Sequence, residues 1–171
     1  MSTIILNSDN LFPEIFEEFH PDARVWLFQS ERKISDAEQT ELLKDLANYT
    51  QTWRSHGDDL ASMGRIVKDQ FIVLIADTIS TQIGGCSQDD MMRFIQSVEK
   101  KYNLSLLNRS LVALLVDDEV QLHNLNELSN KVKEHVVSEK SLMFDNMVRS
   151  RADFQHNWLK PLKDSWVSKF L

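Results

Sequence analysis

Apolar positions recur along this chain in two rhythms, and each switch between them predicts an element. Arg24-Val25-Trp26-Leu27-Phe28-Gln29 is short, β-branched and aromatic, which predicts a strand. Just beyond it, Ser35 and Glu38 form an S-x-x-E capping box. In that motif each side chain takes a backbone N–H that the first helical turn leaves unpaired. Leu42, Leu43, Leu46, Tyr49, Thr50 and Trp53 then repeat every three or four residues, a stripe wide enough to cover a sheet, and Gly57 closes the helix as its C′ residue. Residues 60–68, with Ile66 and Val67, and the continuously apolar Phe71–Ala76 predict a hairpin turning at Asp69-Gln70.

A polar, glycine-bearing loop over residues 80–85 leads to a second helix starting at Ser87. Asp89 and Asp90 stand in its first turn, where the helix dipole favours negative charge. Met91, Phe94, Ile95, Val98 and Tyr102 form its buried stripe. Leu111–Val116 and residues 119–125 predict two more strands joined tightly across Asp117-Asp118. Leu125, Leu128, Val132 and Val136 predict a third helix, residues 142–148 a further strand, and residues 152–159 a short helix ending before Pro161. At the N-terminus, Leu11, Phe12, Ile15, Phe16 and Phe19 share one helical face between Pro13 and Pro21. That face either docks on the core or binds a partner.

From Arg24 to Val116 the order is strand, helix, strand, strand, helix, strand. The expectation is an α+β fold with a ferredoxin-like βαββαβ core, extended by a hairpin, a helix and a C-terminal segment. Residues 21–171 form one domain in this reading, and residues 1–20 an N-terminal helical extension.

Composition narrows the functions. A chain of 171 residues with 42% hydrophobic and 26% charged residues suits one globular domain rather than a disordered one. Its formal charge of -7, with no run of Lys or Arg longer than two, predicts neither a nucleic-acid nor a membrane partner. Cys86 is the single cysteine, which fits a reducing compartment, and residues 1–10 lack the basic start and long apolar run of a leader. Cytoplasmic placement is expected. The five histidines never stand three or four apart, so neither a metal site nor any other cofactor is expected.

Candidate chemistry centres on Ile83-Gly84-Gly85-Cys86-Ser87. A cysteine just ahead of a helix start feels the positive end of the dipole, which favours the thiolate, and Gly84 and Gly85 free backbone N–H groups for an anion or an oxyanion. His56 and His156 are the candidate bases for Cys86. The plainer reading is a small, half-buried residue in a flexible loop, since Asp89 and Asp90 oppose a thiolate. The carboxylate clusters Asp58-Asp59, Asp89-Asp90 and Asp117-Asp118-Glu119 read as turn and helix-start residues. His56 reads as a helix-end residue favoured there by the dipole. Trp158 and Trp166 with Lys160, Lys163 and Lys169 make the one locally basic and aromatic stretch, which either receives an acidic partner or ligand or straps the core. Trp166 and Lys169 are its candidate ligand contacts, beside Gly84, Gly85, Cys86 and Ser87.

Several of these segments together resemble a family. Asp22-Ala23-Arg24-Val25-Trp26-Leu27-Phe28-Gln29 with Arg32 and Lys33, then Trp53 with His56-Gly57, are two of them. Gly85-Cys86-Ser87 before Arg93-Phe94-Ile95, and Ser165-Trp166 with the closing Lys169-Phe170-Leu171, complete the set. In order and spacing they resemble a family of small bacterial proteins circulating under the label "ABC transporter ATPase", over about residues 21–171. The label implies ATP as ligand. No G-x-x-x-x-G-K-[ST] loop begins at any of Gly57, Gly64, Gly84 or Gly85, however, so the parts that grip and hydrolyse a triphosphate are missing. The leading expectation is a non-catalytic binding or regulatory module, with a second copy of itself or another protein as its partner. The alternatives are a thiol-dependent enzyme or redox-sensitive protein built on Cys86, and a nucleotide-binding protein.

Overall fold

Val25, Phe28 and the unbroken run from Phe71 to Ala76 have no polar face to give to water. In the computed structural model, which describes residues 16–171, they become neighbours in one antiparallel sheet. Strand β1 (Arg24–Gln29) pairs with β5 (Phe71–Ala76) from Arg24↔Ala76 to Gln29↔Phe71. Strand β5 pairs in turn with β4 (Ser62–Val67), giving the order β1-β5-β4. Every residue of β5 is buried because both its faces are covered. Ile72, Leu74 and Ala76 meet Leu42 and Leu46 of α1 (Asp36–Thr52) and Met91 and Ile95 of α2 (Gly85–Tyr102). Phe71, Val73 and Ile75 point the other way, onto Phe144, Phe154 and Trp158. Fully burying each such large side chain contributes roughly 1.5–3 kcal/mol, so this central strand anchors both halves of the core.

Helix α1 starts where the capping box places it. Glu38 N–H donates to Ser35 Oγ at 3.3 Å and Ser35 N–H to the Glu38 carboxylate at 2.9 Å. It comes down on the sheet at Gly64, where a Cβ would fall 3.0 Å from Leu46 Cδ2 and 3.1 Å from Leu74 Cδ2. The helix ends at Thr52, well short of Gly57. Strands β2 (Arg54–Ser55) and β3 (Asp58–Asp59) form a small hairpin instead, with His56 (φ 53°) and Gly57 (φ 83°) as its left-handed two-residue turn. His56 therefore belongs to a turn and not to a helix end.

Helix α2 begins earlier than expected, at Gly85 with Gly84 as N-cap. Ser87 is buried and does not cap. Its hydroxyl donates to the Arg54 carbonyl at 2.9 Å, while its own carbonyl accepts the Trp53 indole N–H at 3.0 Å. Those two bonds fasten the first turn to β2, and Asp89 and Asp90 fall beyond that turn.

The remaining strands build a second sheet. Strands β6 (Leu111–Val116) and β7 (Glu119–Asn124) turn tightly through Asp117 and Asp118, both at positive φ, as the sequence predicts. Strand β6 also pairs with β8 (Leu142–Phe144) at Leu114↔Met143 and Leu115↔Leu142, and β8 pairs with β9 (Leu159–Pro161), giving β7-β6-β8-β9. The expected strand over 142–148 stops at Phe144, since Asp145 turns the chain by accepting Met147 N–H at 3.0 Å and Val148 N–H at 3.3 Å. The expected third helix is a 3-10 turn, Leu125–Glu127, followed by α3 (Leu128–Lys133). Val136 lies beyond it, 66% exposed, next to His135 in the left-handed region. Helix α4 (Arg151–Asn157) places Phe154 in the core between the two sheets. On the far face of the second sheet, Val112, Leu114 and Met143 pack under Leu128, Leu162 and Val167.

The architecture is α+β. A ferredoxin-like sheet would pair its fourth strand with β1. Here the fourth strand, β6, is taken by β7 and β8, and no ladder joins it to β1. Leu11, Phe12, Pro13 and Ile15 of the predicted N-terminal helix lie outside the described residues. Phe16 to Glu18 form a turn, with Phe16 buried 6.0 Å from Phe154 between ring centroids. Among the described residues, no helix is long and apolar enough to cross a membrane.

Candidate functional site

Because β6 leaves β1 unpaired, the outer edge of β1 becomes a wall. In an antiparallel ladder the peptide groups of successive residues point alternately to the two sides. Ser30 N–H donates to Gln70 on the β5 side, and Val25 N–H donates to the Arg149 carbonyl at 2.9 Å on the other. The peptide groups of Leu27 and Gln29 therefore also turn away from β5. Residues 149–151 cover only the start of this edge, through the Arg24↔Ser150 bridge and a 2.9 Å bond from Arg151 N–H to the Ala23 carbonyl.

Beyond that bridge a cleft of about 660 Å³ opens between β1 and residues 111–113 of β6. Its apolar lining includes Trp26, Met91, Met92, Met143, Met147 and Trp166. Leu107 and Met147 are 37% and 59% exposed, and their place on the cleft wall accounts for that. One end is braced by amide side chains. Gln29 Nε2 donates to the Leu111 carbonyl at 3.3 Å, Asn146 Nδ2 to Gln29 Oε1 at 3.0 Å, and the Trp158 indole to Asn146 Oδ1 at 3.0 Å.

The charge of the lining is one-sided. Arg24, Arg109, Arg149 and Lys169 all line the cleft, and no Asp or Glu does so among the described residues. Several cations elsewhere are matched, as in Lys68–Asp118 at 2.7 Å, Lys101–Asp45 at 2.7 Å and Lys160–Asp145 at 3.0 Å. None of the four cleft cations forms an ion pair among the described residues. Arg24 is the most enclosed of them. Its Nε is buried without an acceptor, and its guanidinium lies 5.3 Å from the centre of the Trp26 ring. Burial first, and then the neighbouring Arg149, hold its pKa below the ordinary arginine value. Guanidinium groups on an apolar cleft without a carboxylate suit a carboxylate or phosphate.

Of the residues singled out from the sequence, the structure brings Trp166 and Lys169 into this cleft, on the last 3-10 turn, Trp166–Phe170. Gly84, Gly85, Cys86, Ser87 and His56 gather elsewhere, where the β2-β3 hairpin meets the start of α2. His56 packs directly on Gly84, so that a Cβ there would meet His56 Cε1 and Nε2 at 3.0 Å. Gly84 N–H already donates to Ser55 Oγ at 3.1 Å, which occupies one donor an oxyanion would need. Cys86 is exposed on the first turn of α2. His156 stands on α4, which packs on the opposite face of the first sheet from α2, so the sheet separates it from Cys86. Asp59 is paired with Arg54 at 2.8 Å in the β2-β3 hairpin, and Asp118 with Lys68. Among the described residues, no group of three or more His, Cys, Asp or Glu is placed to hold a metal ion.

Sequence reading misses Arg24, Arg109 and Arg149 as cleft residues. A basic run is the signal it looks for, whereas these cations come from separate elements and only Lys169 stands in a basic stretch. Compared with known proteins, the chain matches no family model, no curated protein and no solved structure.

Proposed function

We propose that this protein is a non-catalytic binding module whose cleft holds an anionic ligand with an apolar body. The observation that supports this reading is the set of four cations and no carboxylate on one apolar cleft of a chain with net charge -7. A ferredoxin-like ancestry of the core belongs to the same proposal. Strands β1, β5 and β4 already stand in that order, and the cleft occupies the place where the fourth strand would close the sheet. The resemblance to proteins labelled "ABC transporter ATPase" makes ATP one anion to try, as a ligand without hydrolysis, since the phosphate-gripping loop is missing. Cytoplasmic placement rests on the lone cysteine, Cys86.

The test is thermal stabilisation by 4-phenylbutyrate, by its neutral counterpart 4-phenylbutanol and by ATP, on the wild type and on Arg24→Met/Arg149→Met. A ligand that binds only the folded state raises the melting temperature by mass action. Stabilisation by the carboxylate, not by the alcohol, and its loss in the double variant are expected. No shift at millimolar carboxylate, or an equal shift in the double variant, refutes the proposal.

A further inference from the structure

We infer that the occupant of the cleft is an extended acidic peptide segment of a partner protein, added as a strand to the free edge of β1. This rests on the reading of the cleft as an anion site and goes beyond it by naming the kind of molecule. Three observations carry it together.

The first is the backbone itself. Leu27 N–H and C=O and Gln29 N–H face the cleft, and no hydrogen bond to another backbone or side-chain group is formed by them there among the described residues. An edge strand with open peptide groups is a template for another strand, and natural sheets usually blunt it with a charge, a bulge or a covering segment. Residues 149–151 do this at Ala23 to Val25 only, leaving the edge open at Leu27 and Gln29, which line the cleft. A small carboxylate has no row of alternating donors and acceptors to offer this edge. A peptide backbone does.

The second is the lining. Four of the six methionines in the chain, Met91, Met92, Met143 and Met147, line this one cleft. Met91 and Met143 are buried behind this wall, while Met92 is half-buried and Met147 59% exposed on it. Methionine is unbranched and adapts to varied partners, so Met92 and Met147 suit the differing side chains that a strand presents to one side. The third is charge. Arg24 and Arg149 flank the bridged start of the edge, and Arg109 and Lys169 stand on other parts of the lining. Cations distributed along a cleft match a segment carrying several carboxylates better than a single-headed ligand.

The test measures fluorescence anisotropy of a labelled octapeptide of alternating valine and aspartate with the full chain. The same peptide N-methylated at its four central residues, which keeps every charge and removes the central N–H donors from both edges, is compared with it. The expected result is saturable binding of the parent peptide, its displacement by 4-phenylbutyrate, and affinity at least tenfold lower for the methylated peptide. Arg24→Met/Arg149→Met should weaken the parent peptide at least tenfold as well. Equal binding of the two peptides overturns strand addition. Binding of 4-phenylbutyrate with no binding of either peptide overturns it too, while leaving the anion site standing. If neither carboxylate nor peptide binds, both readings fall.

Discussion

Arg24→Met separates a cation kept for a ligand from one that holds the fold together. Arg24 has a buried Nε with no acceptor, an uncompensated neighbour in Arg149, and one favourable contact, the Trp26 ring at 5.3 Å. A buried donor left unmade costs roughly 1–3 kcal/mol, by general experience with such groups. A cation over an aromatic ring contributes roughly 0.5–1 kcal/mol at a partly exposed position. Methionine keeps most of the apolar stem of arginine against Trp26 and removes the head. The net effect of the substitution is therefore a gain of roughly 0–2 kcal/mol in stability, together with loss of the carboxylate response. Urea denaturation reads the first part as a raised midpoint at unchanged slope. The second part is read by repeating the melt with 4-phenylbutyrate. A loss of stability above about 1 kcal/mol at unchanged slope would show that Arg24 has a structural partner, and the argument for an open anion site would fail with it.

Three further outcomes follow from the same geometry. Gly64→Ala places a Cβ 3.0 Å from Leu46 Cδ2 and 3.1 Å from Leu74 Cδ2, so urea denaturation should show a loss of about 1–3 kcal/mol from overpacking under α1. Glu38 is held down at about 2 from 4.5, first by its hydrogen bonds from Arg32 and then by that from Ser35 N–H. Its contribution is complete above the unfolded value and disappears as pH falls from about 4.5 towards 2, so Glu38→Gln should lower stability at neutral pH and flatten that acid limb in a pH series of urea midpoints. Cys86→Ser, at an exposed position outside the cleft lining, should change stability by less than about 0.5 kcal/mol and leave the 4-phenylbutyrate shift unaltered.

Elements whose signal is local are the ones legible in the sequence. Strands β1, β5 and β6 fall on the residues that their apolar runs predict, and α1 begins at its capping box because Ser35 and Glu38 are three residues apart and need nothing distant. The β2-β3 hairpin is hidden because two-residue strands are too short to show alternation, so Gly57 resembles a helix end. The start of α2 is misjudged because Ser87, a good cap by type, is drawn inward by Arg54 and Trp53, residues more than thirty positions away. Strand β6 shows the deeper difficulty. Leu111–Val116 reads as a doubly covered strand, and that pattern is the same whether its neighbour is β1 or β8. Nothing local chooses between them. The cleft depends entirely on that choice, which is why Trp166 and Lys169, in one local basic and aromatic stretch, could be singled out from the sequence while the arginines of the same lining could not.

The separation of β6 from β1 is built into the core and is no loose fit. Gln29 is only 9% exposed, and its side chain reaches Leu111 on one hand and Asn146 on the other, while Asn146 accepts from the fully buried Trp158. Buried polar groups are tolerated when they are satisfied, and every link of this chain of amides is made. Direct pairing of β1 with β6 would displace the Gln29 amide from Leu111, and with it the partner of Asn146 and the acceptor of the Trp158 indole. Trp158 in turn packs on Phe71, Phe144 and Phe154 with ring centroids 4.8–4.9 Å apart, so the brace is tied to the largest aromatic cluster between the sheets. The open edge at Leu27 is held open by the same residues that join the two halves of the molecule.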